Sequence, residues 1–226
     1  MFSRKPAVAA VVFASLFLAA PAFAGTPLIC FPIDTGGAPT LPFGDGVMSR
    51  LESYDVARLE GDVLARLAPS APVLVRMETL RRATIIVAGH GEVAARLLSE
   101  LMARAIDAEA AGTPDALAYF DAGYLAACFG EMGLDAPAGG HAWVKRAIAL
   151  RNGDPEMEFA AHVMTLMAGD RLAAERSDHL RAALRGAKEG SLLERNLVAR
   201  VGGAGSSLAA LRAEHLASEA SPRERR

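Results

Sequence analysis

An all-α fold follows from three features of the 226-residue sequence. From Val47 onward apolar residues return every three or four positions, the interval that gathers them on one face of a helix. Helix-start and helix-stop chemistry recurs between those runs, and strand signals are almost absent. The β-branched run Thr84-Ile85-Ile86-Val87 shares the helical period of its neighbours and is read as helix, because context overrides propensity.

Ahead of the helices stand two other segments. Arg4 and Lys5, an apolar run from Ala7 to Ala20, and small residues one and three places before Gly25 make the three-part layout of a secretory signal peptide over residues 1–24. About 14 apolar residues fall short of the roughly 20 that span a bilayer as a helix, so no stable membrane insertion is expected after cleavage. The expected address is the periplasm or the exterior. Residues 25–46, GTPLICFPIDTGGAPTLPFGDG, combine six large apolar side chains with four prolines and five glycines. Such a segment cannot be helix, and floating free it exposes a sticky surface, which predicts an extended strap lying along the helices.

Residues 47–218 are expected to form a single domain of eight or nine helices. The first covers about 47–67, burying Met48, Leu51, Leu59, Val63 and Leu67. The second, about 72–88, opens on Pro72 and ends at Gly89, and the third runs from about Glu92 to Gly112. Thr113-Pro114-Asp115 supplies a capping hydroxyl, a proline and an acid for a fourth helix reaching Met132. A shorter helix covers about 141–151. Asp154-Pro155-Glu156 starts the next, to about Ala168, and Gly169-Asp170 turns a corner into one ending near Ala187. Ser191 and Glu194 fit a capping box for an eighth helix, and a ninth spans about 206–218. Residues 219–226 are expected to be a disordered tail.

Removing residues 1–24, which hold two of the 24 Lys and Arg and none of the 26 Asp and Glu, leaves 202 residues with a net charge near −4. A mildly acidic chain argues against non-specific nucleic-acid binding.

Sliding the chain by 36 residues aligns Gly133 with Gly169, Met132 with Ala168, Lys145 with Arg181, Ala147 with Ala183 and Ile148 with Leu184. With the stretches DPEMEFAAHVMTLMAGDRLAAERSDHLRAALRGA and HAWVKRAIALRNGDPE, residues 114–188 resemble two tetratricopeptide (TPR) repeats, and residues 72–111 a degenerate earlier one. The usual first-helix aromatic is Tyr124 in one unit but Ala160 in the other, and the proline that usually ends the second helix is absent at Asn152 and Lys188. The resemblance implies an antiparallel helix-hairpin array, a TPR-like α-solenoid, with an irregular helical bundle as the other arrangement these patterns allow. It also implies a protein or peptide partner held on a concave groove toward which Leu125, Phe129, Met132, Glu158, Ala161 and Thr165 turn, the first three as an apolar ridge.

Two cysteines in an exported chain read first as a disulfide, here Cys30 with Cys128, closing a loop of about 98 residues. The other reading makes Cys128 a buried packing thiol. His90, His141, His162, His179 and His215 are scattered with no two three or four apart, so no local metal or haem ligand set is visible and no cofactor is expected. Gly89-His90-Gly91-Glu92 reads as a corner between helices. Asp154, Glu156 and Glu158 read as solvated first-turn acids, and Glu78 with Arg81 and Arg82, and Glu175 with Arg176, as solvated faces. A non-enzymatic, peptide-binding exported protein is the expectation. The second is a small-molecule or lipid carrier with an apolar cavity lined by Phe120, Tyr124, Phe129 and Trp143.

Overall fold

The computed structural model describes residues 27–203 and 205–217. The expected signal peptide, residues 25 and 26 and the expected tail lie outside the described residues. Within them the protein is all-α, with nine helices and no strand: α1 (Leu59–Arg66), α2 (Val73–Ile86), α3 (Gly91–Ala110), α4 (Ala116–Glu131), α5 (Gly140–Leu150), α6 (Pro155–Met164), α7 (Ala173–Gly186), α8 (Leu192–Val201) and α9 (Leu208–Leu216). Short 3-10 turns precede α1 at Val56–Arg58 and join α6 to α7 at Leu166–Leu172.

Most helix ends obey the punctuation read from the sequence. Asp154 accepts the amides of Glu156 and Met157 with Pro155 in the first turn of α6, and Ser191 accepts the Glu194 amide at the start of α8. Gly89, Gly112 and Gly133 take positive φ behind α2, α3 and α4.

Three boundaries differ. The first helix begins at Leu59, twelve residues later than the pattern places it. The Val47 carbonyl, which a helix would pair with residue 51, instead accepts a bond of 2.9 Å from Arg81, while Ser49 and Gly44 close a loop on each other. Val47, Met48 and Leu51 are therefore exposed, and only Leu59, Val63 and Leu67 of the expected stripe are buried. The cap of α4 is Asp115, which accepts the amides of Leu117 and Ala118. Thr113 lies two residues before that cap, and its amide returns to the Ala108 carbonyl and closes the end of α3. Finally, α6 stops at Met164: the Thr165 hydroxyl takes the His162 carbonyl, and the chain tightens into the 3-10 turn.

Helix α4 sits at the centre, packed by α2, α3, α5 and α6. It is apolar on every side, so all its faces seek cover. Helices α4 and α5, and α6 and α7, pack most extensively. Helix α2 is more enclosed still: every residue but Arg82 is buried, including Arg76, Glu78 and Arg81. Part of its cover comes from the non-helical residues 27–47, whose Leu28, Ile29, Ile33 and Leu41 join the same hydrophobic cluster as the helices.

Candidate functional site

The face between α2 and α8 holds residues 27–47 by their main chain. On the α2 side the Glu78 carboxylate, 1% exposed, accepts the Ile33 amide at 3.0 Å. Its two oxygens also take Arg81 through Nε and Nη2, both at 2.8 Å, and Arg82 through Nε at 2.7 Å. Arg81 passes its remaining donor Nη1 to the carbonyls of Ile29 and Val47, and Arg82 donates to the Leu41 carbonyl. The Phe43 ring lies over both guanidinium groups, 5.4 and 5.2 Å from its centre.

On the α8 side Asn196 grips one residue twice: its Oδ1 accepts the Asp34 amide and its Nδ2 donates to the Asp34 carbonyl, each at 2.9 Å. That pairing is what a neighbouring β-strand offers an extended residue. Arg195 binds the Asp34 carboxylate at 2.7 Å and holds its pKa below the usual carboxylate range. Two residues on, Gly36 has φ +64°, a left-handed conformation that favours glycine, and a Cβ there would stand 2.9 Å from a methyl of Leu192, which would have to shift. Arg200 donates to the Pro27 carbonyl and stacks on Phe31 at 4.2 Å. Its Nε and Nη1 are buried with no hydrogen-bond partner among the described residues. Beside it lies a hollow of about 100 Å³ walled by Phe31, Ile33, Phe159 and Asn196. At the end of α4, Glu131 accepts the Leu28 amide.

The residues expected to line a groove lie elsewhere. Leu125, Phe129, Ala161 and Thr165 are fully buried, Glu158 nearly so and Met132 half-buried. The ridge is closed because α4 is enclosed by four helices. Phe120, Tyr124 and Phe129 have no exposed surface, with Phe120 and Tyr124 stacked at 5.6 Å, and these rings fill interior space. Trp143 leans on Tyr119 at 5.4 Å. Cys30 is half-buried beside Ile29, while Cys128 is buried on α4, where loss of water pushes its thiol pKa well above the ordinary value.

Of the charged groups read as solvated, those on α2 and α6 need correction, whereas Glu175 keeps a 41% exposed side chain. Glu78 and Arg81 are core residues, because i to i+3 spacing lets them neutralise each other under a non-helical cover. Glu156 reaches the Leu74 amide at the start of α2, where burial raises its pKa, and Glu158 bonds His179. The grip on residues 27–47 is not legible in the sequence, where Glu78, Arg81 and Arg82 read as a solvated face and Asn196 and Arg200 carry no local signal.

Among the described residues no helix is long and apolar enough to cross a membrane. Comparison with protein-family models, with curated proteins and with solved structures finds no match to this chain.

Proposed function

We propose that this chain is an exported, non-enzymatic helical-repeat protein that holds an extended polypeptide across the face between α2 and α8, a face its own N-terminal strap fills as a built-in pseudo-ligand. The observation that carries this reading is the use of side chains from helices to hold main-chain groups of residues 27–47: Glu78, Arg81, Arg82, Asn196 and Arg200 all do so. Buried ion pairs contribute little to stability compared with apolar packing, so a charged floor is a poor device for mere core formation. It is a good device for gripping amides and carbonyls whatever their side chains. The unpartnered Arg200 donors leave capacity for a ligand that the strap does not use.

A TPR-like array is supported by the two main helix pairs, α4 with α5 and α6 with α7, which coincide with the 36-residue offset. Contacts of α2 with α4, α4 with α6 and α6 with α8 are those that first helices of successive hairpins make. The layout of residues 1–24 supports export.

The test uses a protease site inserted after Gly46, an exposed position. After cleavage, a fluorescent synthetic peptide of residues 25–46 is added and its anisotropy followed, with circular dichroism reporting the helices. Saturable uptake by a still helical protein is expected, and selection of displayed peptides on the cleaved protein then enriches extended apolar sequences. Failure of the cleaved protein to take up the peptide, or loss of its helices on cleavage, overturns the reading.

A further inference from the structure

Helices α5, α6 and α7 bring together four side chains that are far apart or unremarkable in sequence. His141 comes from the first turn of α5, Glu175 and His179 stand one turn apart on α7, and Glu158 comes from α6. Ligand atoms of His141, Glu175 and His179 lie within 4.8 Å of one another, and all three residues are half-buried. The two histidine Nε2 atoms are 3.2 Å apart. Two nitrogens bound at about 2.0–2.1 Å to one tetrahedral ion stand about 3.3 Å from each other, so the rings already have the spacing that a shared ion sets.

The second nitrogen of His179 decides what the first can do. Nδ1 lies 2.5 Å from Oε2 of Glu158. A carboxylate can only accept, so Nδ1 carries the proton and the lone pair of Nε2 faces His141. A buried acid that fixes the tautomer and plane of a histidine is the usual support behind a metal-ligating imidazole.

We propose that His141, Glu175 and His179 bind a divalent transition-metal ion of the zinc type, with Glu158 as the positioning residue for His179. Two imidazoles and one carboxylate form a donor set that suits zinc, whereas calcium and magnesium take oxygen ligands. Three protein ligands leave one position for water or an external ligand. Without the ion, His141 donates through Nε2–H to His179, and Lys145 neutralises Glu175 at 2.9 Å. Lys145 is the internal competitor: its side chain is 47% exposed and can swing into solvent when the ion takes its place.

Untagged full-length protein, stripped with EDTA, is titrated with Zn²⁺ by calorimetry and with Co²⁺ by visible absorption. One ion per chain is expected, with Co²⁺ giving the strong bands of tetrahedral coordination. His141→Ala and His179→Ala lower Zn²⁺ affinity by about 100-fold, and Glu158→Gln by about 10-fold. Lys145→Met raises affinity several-fold, a direction that a folding defect cannot produce. Zn²⁺ raises the thermal midpoint of the wild type and not of His141→Ala. Binding that is unchanged in the His141→Ala, His179→Ala double variant assigns the ion to other groups and overturns the site, as does wild-type binding no stronger than that of the double variant.

Discussion

His162 is neutral in the fold because burial lowers its pKa to about 4, although its Nδ1 is 3.0 Å from the Arg176 carbonyl. Arg176, Arg200 and His179 nearby also oppose a positive charge there. The unfolded chain takes this proton below about 6.5 and the folded one only below about 4. Stability from this group is therefore complete above pH 6.5 and lost as pH falls toward 4, by up to about 3 kcal/mol. Urea unfolding at pH 7 and pH 4.5 is expected to show a smaller acid loss in His162→Gln than in the wild type; equal losses rule the group out. Asp121 works in the opposite sense. Burial pushes its pKa up to about 7 despite Arg76 at 2.5 Å, so its contribution is largest at low pH and is lost as pH rises through 7. Arg76 also donates to the carbonyls of Leu67, Ala68 and Ala71 behind α1. Arg76→Met is expected to cost about 3–5 kcal/mol at pH 8, where it strands a buried carboxylate, and less at pH 5, where Asp121 is protonated. A pH-independent loss would place the whole effect in the carbonyl contacts.

Helices were legible where a local group makes their ends, as Asp154, Ser191 and the glycines behind α2 to α4 show. They were misread where a distant side chain competes for the backbone: Arg81, 34 residues from Val47, takes the carbonyl that the expected first helix needed. Close approach between helices was equally invisible. A Cβ on Gly123 would lie 2.6 Å from the Gly140 carbonyl oxygen, and one on Gly140 would lie 2.4 Å from that of Gly123. The same device recurs at the next pair, where a Cβ on Gly186 would meet Pro155 at 2.4 Å. Backbone cannot yield as a flexible side chain can, so Gly140→Ala must separate α4 from α5. The expected loss is about 1–3 kcal/mol, read from denaturant unfolding, with Gly61→Ala as the control because nothing lies within 4 Å of its Cβ. If both variants lose the same amount, helix-to-helix contact is not what Gly140 serves.

The charged cluster of α2 joins these pieces into one architecture. A helix with Arg76, Glu78 and Arg81 on it reads as half-solvated, since charge normally marks a wet face. The chain folds otherwise because residues 27–47 cover that helix, their amides and carbonyls meeting Glu78 and Arg81, while Asp121 and the carbonyls behind α1 meet Arg76. Nothing local in the sequence pairs Asp34 with Asn196 across 162 positions, nor His141 with His179 across 38, so both sites emerge only from packing. What matters for function is whether the cover opens separately from the core. Asn196→Ala removes two bonds to Asp34, worth about 1–3 kcal/mol together. If the cover is a separate unit, the Ile33 and Asp34 amides exchange about 10–100-fold faster in this variant while amides of α4 keep their protection. Helical amides that accelerate in step would instead show one cooperative core. A face that opens only with global unfolding cannot serve as a binding groove, and the peptide-binding reading would fall with it.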